Sequence, residues 1–421
     1  MSATNSELPY RERLVDPLLD HLLTQLPGVQ IVGPRAAGKT RTFTRRAATV
    51  IRLNAEAEAA AFAADPDAAL EGLAEPVLLD EWQEVPGVFG AARRAIDADP
   101  RPNRFYLTGS VNAELEHEVH EGTGRLVRFA MYPMSIREQV GDVSAPTFFD
   151  KLAAGRALSV PDDTPNLRGY IELALASGLP LIALRLEGRA RRAALEGYLD
   201  SLLTHDVEQL EGERGRRYDR VRLRNYFEAY ALNSGSVCDH KAIFDAAQVN
   251  RITATTYEDL LTNLFVVDQI PAWATSRLKR LAHQPKRFVV DAALMAAALR
   301  IDTAGIMRDG NLLGRVLDTF VIAQLRPEVV VSETTPRLHH LRTEQGRHEV
   351  DLVAELGGQR VIAMEIKASA APDGGDAKHL FWLREQLDEK FVAGVVFHTG
   401  PRLYEIGEGI IAAPVSTLWG S

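Results

Sequence analysis

Cysteine occurs once in the 421 residues, at Cys238. A single thiol excludes any disulfide within the chain, which suits a reducing cytoplasm. With no obvious partner, Cys238 reads as a small buried hydrophobe rather than a reactive group. Long apolar runs are missing too. No stretch approaches the roughly 18 unbroken apolar residues of a membrane span, and the opening Met-Ser-Ala-Thr-Asn-Ser-Glu has no apolar core like that of a secretory signal. A cytoplasmic protein with no membrane partner is therefore expected. Positive charge is also short. Lys and Arg number 48 against 57 Asp and Glu, a net charge of -9, which argues against non-specific coating of nucleic acid or anionic lipid but leaves room for a local basic groove. There is no internal repeat and no low-complexity tract.

What remains is a globular composition, 46% hydrophobic and 25% charged, in a chain long enough for two or three domains. Residues 1–140 alternate short apolar runs with helical patterns. The runs Val29-Gln30-Ile31-Val32, Pro76-Val77-Leu78-Leu79-Asp80 and Arg104-Phe105-Tyr106-Leu107-Thr108 predict a parallel sheet covered by helices. Residues 141–166 carry several Pro, Gly and Asp and predict a linker with a short helix. Residues 167–300 read as helical, with helices either side of Gln248-Val249-Asn250 and then the apolar run Leu264-Phe265-Val266-Val267, the order of a winged-helix unit. Residues 301–421 read as a small α/β domain. It opens with a helix over Leu312–Leu325 that Pro327 should stop, followed by strands near 337–343, 348–356, 360–368 and 391–398.

The first apolar run leads into Gly33-Pro34-Arg35-Ala36-Ala37-Gly38-Lys39-Thr40, the Gly-x4-Gly-Lys-Thr pattern of a P-loop. Glycines let the backbone fold its N–H groups toward phosphates, the lysine reaches the terminal phosphates, and the threonine hydroxyl ligates Mg²⁺. The candidate ATP-binding set runs from Gly33 through Arg41. Val77-Leu78-Leu79-Asp80-Glu81 is an apolar strand ending in two acids. In that Walker B position Asp80 would hold the Mg²⁺ shell and Glu81 would polarise the attacking water. A third strand ends in Thr108-Gly109-Ser110, so Thr108 or Ser110 is a candidate to bond the water or the γ-phosphate. Arg125 is a candidate arginine finger and Arg128 its rival. The candidate catalytic set is thus Lys39, Asp80, Glu81, Ser110 and Arg125.

Taken in order, these motifs are recognisable. Tyr10-x-x-Arg13, the P-loop, Leu-Asp-Glu-Trp82-Gln83, Leu-Thr-Gly-Ser, Gly124-Arg125 and Tyr-Pro-Met-Ser-x-x-Glu138 are followed by His205-Asp206, Phe288-Val289-Val290-Asp291, Glu349-Val350-Asp351, Glu365-Ile366-Lys367 and Pro414-x-x-x-Leu418-Trp419. The chain resembles prokaryotic AAA-type ATPases fused to a C-terminal domain of unknown function. The resemblance implies an α/β protein with an AAA-like P-loop core, a winged-helix-like middle and a restriction-endonuclease-like end. Trp82 departs from it by replacing an aliphatic residue.

Asp351, Glu365 and Lys367 have the order of a PD-(D/E)xK nuclease site, where two acids bind Mg²⁺ and the lysine lowers the pKa of the attacking water. The resemblance places a further acid on the preceding helix, at Asp318. Glu365 and Lys367 share a strand face. A two-residue turn at Gly357-Gly358 would turn Asp351 away from Glu365, whereas a three-residue loop or bulge would set them opposite, and the latter is expected.

Nucleic-acid contacts are less well marked. The segment 251–262 offers one Arg against one Glu and one Asp, and the ten arginines of residues 185–224 are interleaved with eight acids. Two functions follow. One is an ATPase controlling a nuclease-like domain that acts on DNA or RNA in a defence or toxin-type system. The other is an ATP-dependent switch that binds a protein partner through a catalytically inactive nuclease-like fold. Assembly as a homo-oligomer stays open.

Overall fold

The computed structural model describes residues 9–110, 125–207, 218–273, 284–343 and 347–420. They fall into two compact units. The first holds the chain to Met134 with the short stretches 179–181 and 263–265, and the second holds the remainder.

In the first unit β1 (Gly28–Val32), β2 (Thr49–Arg52), β3 (Val77–Asp80), β4 (Phe105–Gly109) and β5 (Leu126–Ala130) form a parallel sheet in the order β2-β3-β4-β1-β5. The three central strands are buried along their whole length, which is why they read as unbroken apolar runs. β2 and β5 lie at the edges, are only partly buried and carry polar residues, and the sequence pattern missed both. The order puts β4 between β1 and β3, so Val32 lies beside Gly109 and Asp80 beside Thr108. Three strand ends that carry candidate residues are thereby brought together. Trp82 is buried and packs on Phe89, with ring centroids 5.2 Å apart. Its indole lies against Gly109, where a Cβ would stand a tight 3.1 Å from Trp82 Nε1.

The second unit begins with the helices Ile136–Val140 and Phe148–Ala153. The expected linker is therefore packed structure. Phe148, Phe149 and Leu152 are buried, and Arg137 forms a buried ion pair with Glu328 at 2.6 Å. Helices Arg220–Leu232, His240–Ala246 and Arg251–Asn263 precede an antiparallel pair, β6 (Val267–Ile270) and β7 (Lys286–Val289). The apolar run at 264–267 mostly precedes β6 rather than forming it. Cys238 is half-buried, not buried, and burial raises its thiol pKa.

Helix Gly310–Val331 runs through Pro327 instead of stopping there. Tertiary packing overrides the local signal, since Leu325, Pro327 and Glu328 are all buried and Glu328 has Arg137 as its partner. Six strands follow: β8 (Arg337–Arg342), β9 (Glu349–Glu355), β10 (Val361–Ile366), β11 (Phe391–His398), β12 (Tyr404–Gly407) and β13 (Ile410–Pro414). They form one mixed sheet in the order β12-β13-β11-β10-β9-β8. Leu380 and Leu383 of helix Lys378–Leu387 pack on Val353, Val361 and Ala363 of that sheet. Among the described residues no helix is long and apolar enough to cross a membrane.

Candidate nucleotide site and carboxylate cluster

The P-loop connects β1 to the helix Lys39–Thr44. Its path depends on two glycines. At Gly33 a Cβ would stand 2.1 Å from Met131 O, and Gly38 has φ +102°. Ala36 holds φ +61° without being glycine, a strained state of the kind that gathers at binding sites. Lys39 is 4% exposed, and its ammonium donates to Gly33 O and Pro34 O, both at 2.8 Å. Burial lowers its pKa to about 8, against the opposing pull of Glu81 and Asp80. Arg35, within the loop, and Arg41, in the helix that follows it, are exposed.

At the ends of β3 and β4 the pairing is specific. Asp80 Oδ1 accepts from Thr40 Oγ1 at 2.8 Å and also from Thr108 Oγ1. Burial raises the Asp80 pKa, and these two hydroxyls oppose that rise. Glu81 takes a left-handed backbone, φ +54° and ψ +50°. Its Oε2 accepts from Ser110 Oγ at 2.6 Å, Ser110 N at 3.2 Å and Gln83 Nε2 at 2.7 Å. Thr108 and Ser110, alternatives in the sequence, thus divide the work: one holds Asp80 and the other holds Glu81.

A supporting network lies outside the candidate set. Buried Arg13 donates to Ala37 O at 2.7 Å and Tyr132 O at 2.8 Å, clamping the P-loop backbone. Buried Asp16 accepts from Arg13 N at 2.6 Å, Tyr10 OH at 2.8 Å and Arg46 Nη1 at 2.8 Å. The Tyr10-x-x-Arg13 motif was the available signal, though it carried no assigned role.

The arginine candidates do not join this site within one chain. Arg125 immediately precedes β5, and Leu126 pairs with Gly28 at the start of β1, whereas the P-loop leaves β1 after Val32. Four residues of strand separate those ends by about 13 Å. Arg125 instead pairs with Asp97 at 2.5 Å, and Arg128 lies mid-strand beside Gln30. The neighbouring Gly122, Thr123 and Gly124 lie outside the described residues.

In the second unit the loop Gly357-Gly358-Gln359 is closed by Leu356 N donating to Arg360 O at 2.8 Å. Met364 pairs with Leu352, and the same register sets Glu365 opposite Asp351, as a three-residue loop requires. Lys367 Nζ lies 2.9 Å from Glu365 Oε2. The pattern missed Lys286, on β7. Its ammonium lies 3.0 Å from Asp351 Oδ1 and 3.3 Å from Asp318 Oδ2. Burial alone would lower the Lys286 pKa, but Asp351 and Asp318 outweigh it and hold the group above the ordinary lysine value. Burial raises Asp318 to about 7 and, together with the charge of Asp351, raises Glu365 to about 8. Among the described residues no three His, Cys, Asp or Glu side chains gather as a metal site. With an ammonium between Asp318 and Asp351, the expected acids do not fit a metal centre as they stand.

Residues 27–140 match the family described as an AAA domain. Residues 167–305 and 313–418 match two domains of unknown function, DUF8612 and DUF4143. Uncharacterised proteins of Mycobacterium bovis and Mycobacterium tuberculosis are each 27% identical over 406 residues, covering 95% of this chain and 82% of theirs. A solved Walker-type ATPase of Pyrococcus abyssi is 15% identical with a TM-score of 0.39, covering 70% of this chain and 97% of that one. An AAA-type P-loop domain is therefore fused here to two segments that match domains of unknown function.

Proposed function

We propose that this chain binds ATP with Mg²⁺ at the P-loop, hydrolyses it, and uses the nucleotide state to control its C-terminal unit. One observation carries the hydrolysis reading: Lys39, the Thr40–Asp80 pair and the Glu81–Ser110 pair meet at three neighbouring strand ends. Lys39, held only by two neutral carbonyls, is ready to exchange them for phosphate oxygens. Thr40 and Asp80 would hold Mg²⁺, which neutralises charge building on the phosphates. Glu81 orients the attacking water and takes its proton, and its bonds to Ser110 and Gln83 must loosen for it to do so. Measuring phosphate release from ATP with Mg²⁺ and with chelator tests this, and a wild-type protein with no Mg²⁺-dependent turnover sinks it.

The C-terminal unit is read first as a nuclease-like PD-(D/E)xK element acting on DNA or RNA in a defence or toxin-type system. Support comes from Asp351 and Glu365 lying opposite one another with Lys367 beside them. Incubation with DNA and RNA in Mg²⁺ or Mn²⁺, with and without ATP, is the assay. The reading is lost if wild type cuts nothing or Lys367→Ala cuts equally well.

Two specific observations favour the second reading, a nucleotide-dependent switch for a protein partner. Lys286 fills the space between two of the acids. Helix Arg251–Asn263 turns Glu258 inward to Arg287, at 2.6 Å, and offers one Arg against one Glu and one Asp up to residue 262, a poor face for phosphate. Affinity capture with ATP and with ADP tests it. A nucleic acid recovered in place of a nucleotide-dependent protein would refute this reading.

A further inference from the structure

Lys286 belongs to neither the P-loop nor the nuclease pattern, yet its ammonium bridges two of the three clustered acids, Asp318 and Asp351. Its strand is firmly placed. β7 pairs with β6, Arg287 forms a buried ion pair with Glu258 at 2.6 Å, and Arg287 O and Val289 N bond Gly235 N and Ser234 Oγ at 2.8 and 3.0 Å. Gly235 in turn lets its backbone close on the acid helix, since a Cβ there would stand 3.0 Å from Asp318 Cβ. The ammonium is thus delivered between Asp318 and Asp351 by a fixed scaffold.

We infer that Lys286 is the resident cation of this cluster, and that its ammonium excludes a divalent metal from the Asp318, Asp351 and Glu365 carboxylates. This goes beyond the partner-switch reading of the C-terminal unit, because it is carried by the Lys286 geometry and stands or falls without that reading. Both oxygens of Asp351 are already used, Oδ1 by Lys286 and Oδ2 by Ile366 N at 3.1 Å. Glu365 gives Oε2 to Lys367, and only its Oε1 is left buried without a hydrogen-bond partner. A metal ion needs carboxylate oxygens at about 2.0–2.6 Å, and the ammonium stands where those oxygens would have to converge. Two ammonium groups against three carboxyls also leave little negative charge to attract a dication.

The test is a Mn²⁺ titration of the nucleotide-free full-length protein, followed by electron paramagnetic resonance of the free ion. Wild type should show no saturable uptake. Lys286→Met should take up one Mn²⁺ per chain, and adding Asp351→Asn should remove it. The inference is overturned if wild type takes up one Mn²⁺ that Asp351→Asn abolishes, or if a folded Lys286→Met stays metal-free. Circular dichroism checks folding. Should Lys286→Met not fold, the wild-type and Asp351→Asn titrations decide alone. Cleavage is scored separately. Wild type that excludes Mn²⁺ but cuts nucleic acid would end the partner-switch reading and leave the metal exclusion standing.

Discussion

Lys39 in the first unit and Lys286 in the second are almost equally buried, at 4% and 3% exposure, yet their partners differ in kind. Lys39 has two neutral main-chain carbonyls, and burial pulls its pKa down. Lys286 has two carboxylates, which push its pKa up. A buried ammonium whose hydrogen bonds go only to neutral carbonyls is a receptor for an incoming anion, whereas one paired directly with two acids is a closed ion pair. The same side chain thus marks an open site in one unit and a filled one in the other.

The comparison breaks most visibly at Lys39. Lys39→Ala should lower ATP affinity by at least about 100-fold, roughly 2.7 kcal/mol, and abolish turnover, as read by titration calorimetry and phosphate release. Retention of full turnover would remove the first half of the contrast. Glu81→Gln should keep ATP binding while slowing hydrolysis by roughly 10³-fold, the scale of a lost general base. Equal loss of binding would mean that Glu81 shapes the loop rather than acts on water. Lys286→Ala should destabilise the second unit by about 3 kcal/mol, because it strands two largely buried acids. Urea unfolding should show this as a lower midpoint, and an unchanged midpoint would mean that the carboxylates find other partners at no cost.

The P-loop was legible because its conformation demands particular residues. Gly33 approaches Met131 O too closely for a side chain, and Gly38 holds a positive φ that L side chains rarely adopt. The central strands were legible from burial on both faces, whereas the edge strands β2 and β5 were not, so the place of Arg125 at the start of β5 could not be read. In a parallel sheet ligands gather where strands end, and Arg125 stands where one begins. Pro327 looked like a stop because local propensity says so, while a buried pair 191 residues apart, Arg137 with Glu328, carried the helix onward. The Asp351–Glu365 register hung on a loop length that the sequence left open between two and three residues, and the expected three-residue loop is the one present. Lys286 was out of reach for the opposite reason: its partners lie 32 and 65 residues away, and no spacing rule joins them.

The smallest expected effect separates the two lysines by pH. Nucleotide-free Lys39 gives up its proton as pH rises through about 8, below the ordinary lysine value of 10.5. The unfolded chain keeps that proton until about 10.4, so the stability of the first unit should rise between these two values. ATP needs the ammonium form, so its binding must restore the proton. Affinity should be flat from pH 7 to 8 and then fall, approaching tenfold per pH unit above 8. Calorimetry in two buffers of different ionisation enthalpy should find proton uptake near zero at about pH 7, rising toward one per ATP at about pH 9. Lys286, held above the ordinary lysine value by Asp351 and Asp318, contributes no titration in that window. Proton uptake that stays at zero through pH 9 would mean Lys39 is already stabilised as an ammonium before nucleotide arrives, and the distinction between an open and a closed lysine would collapse.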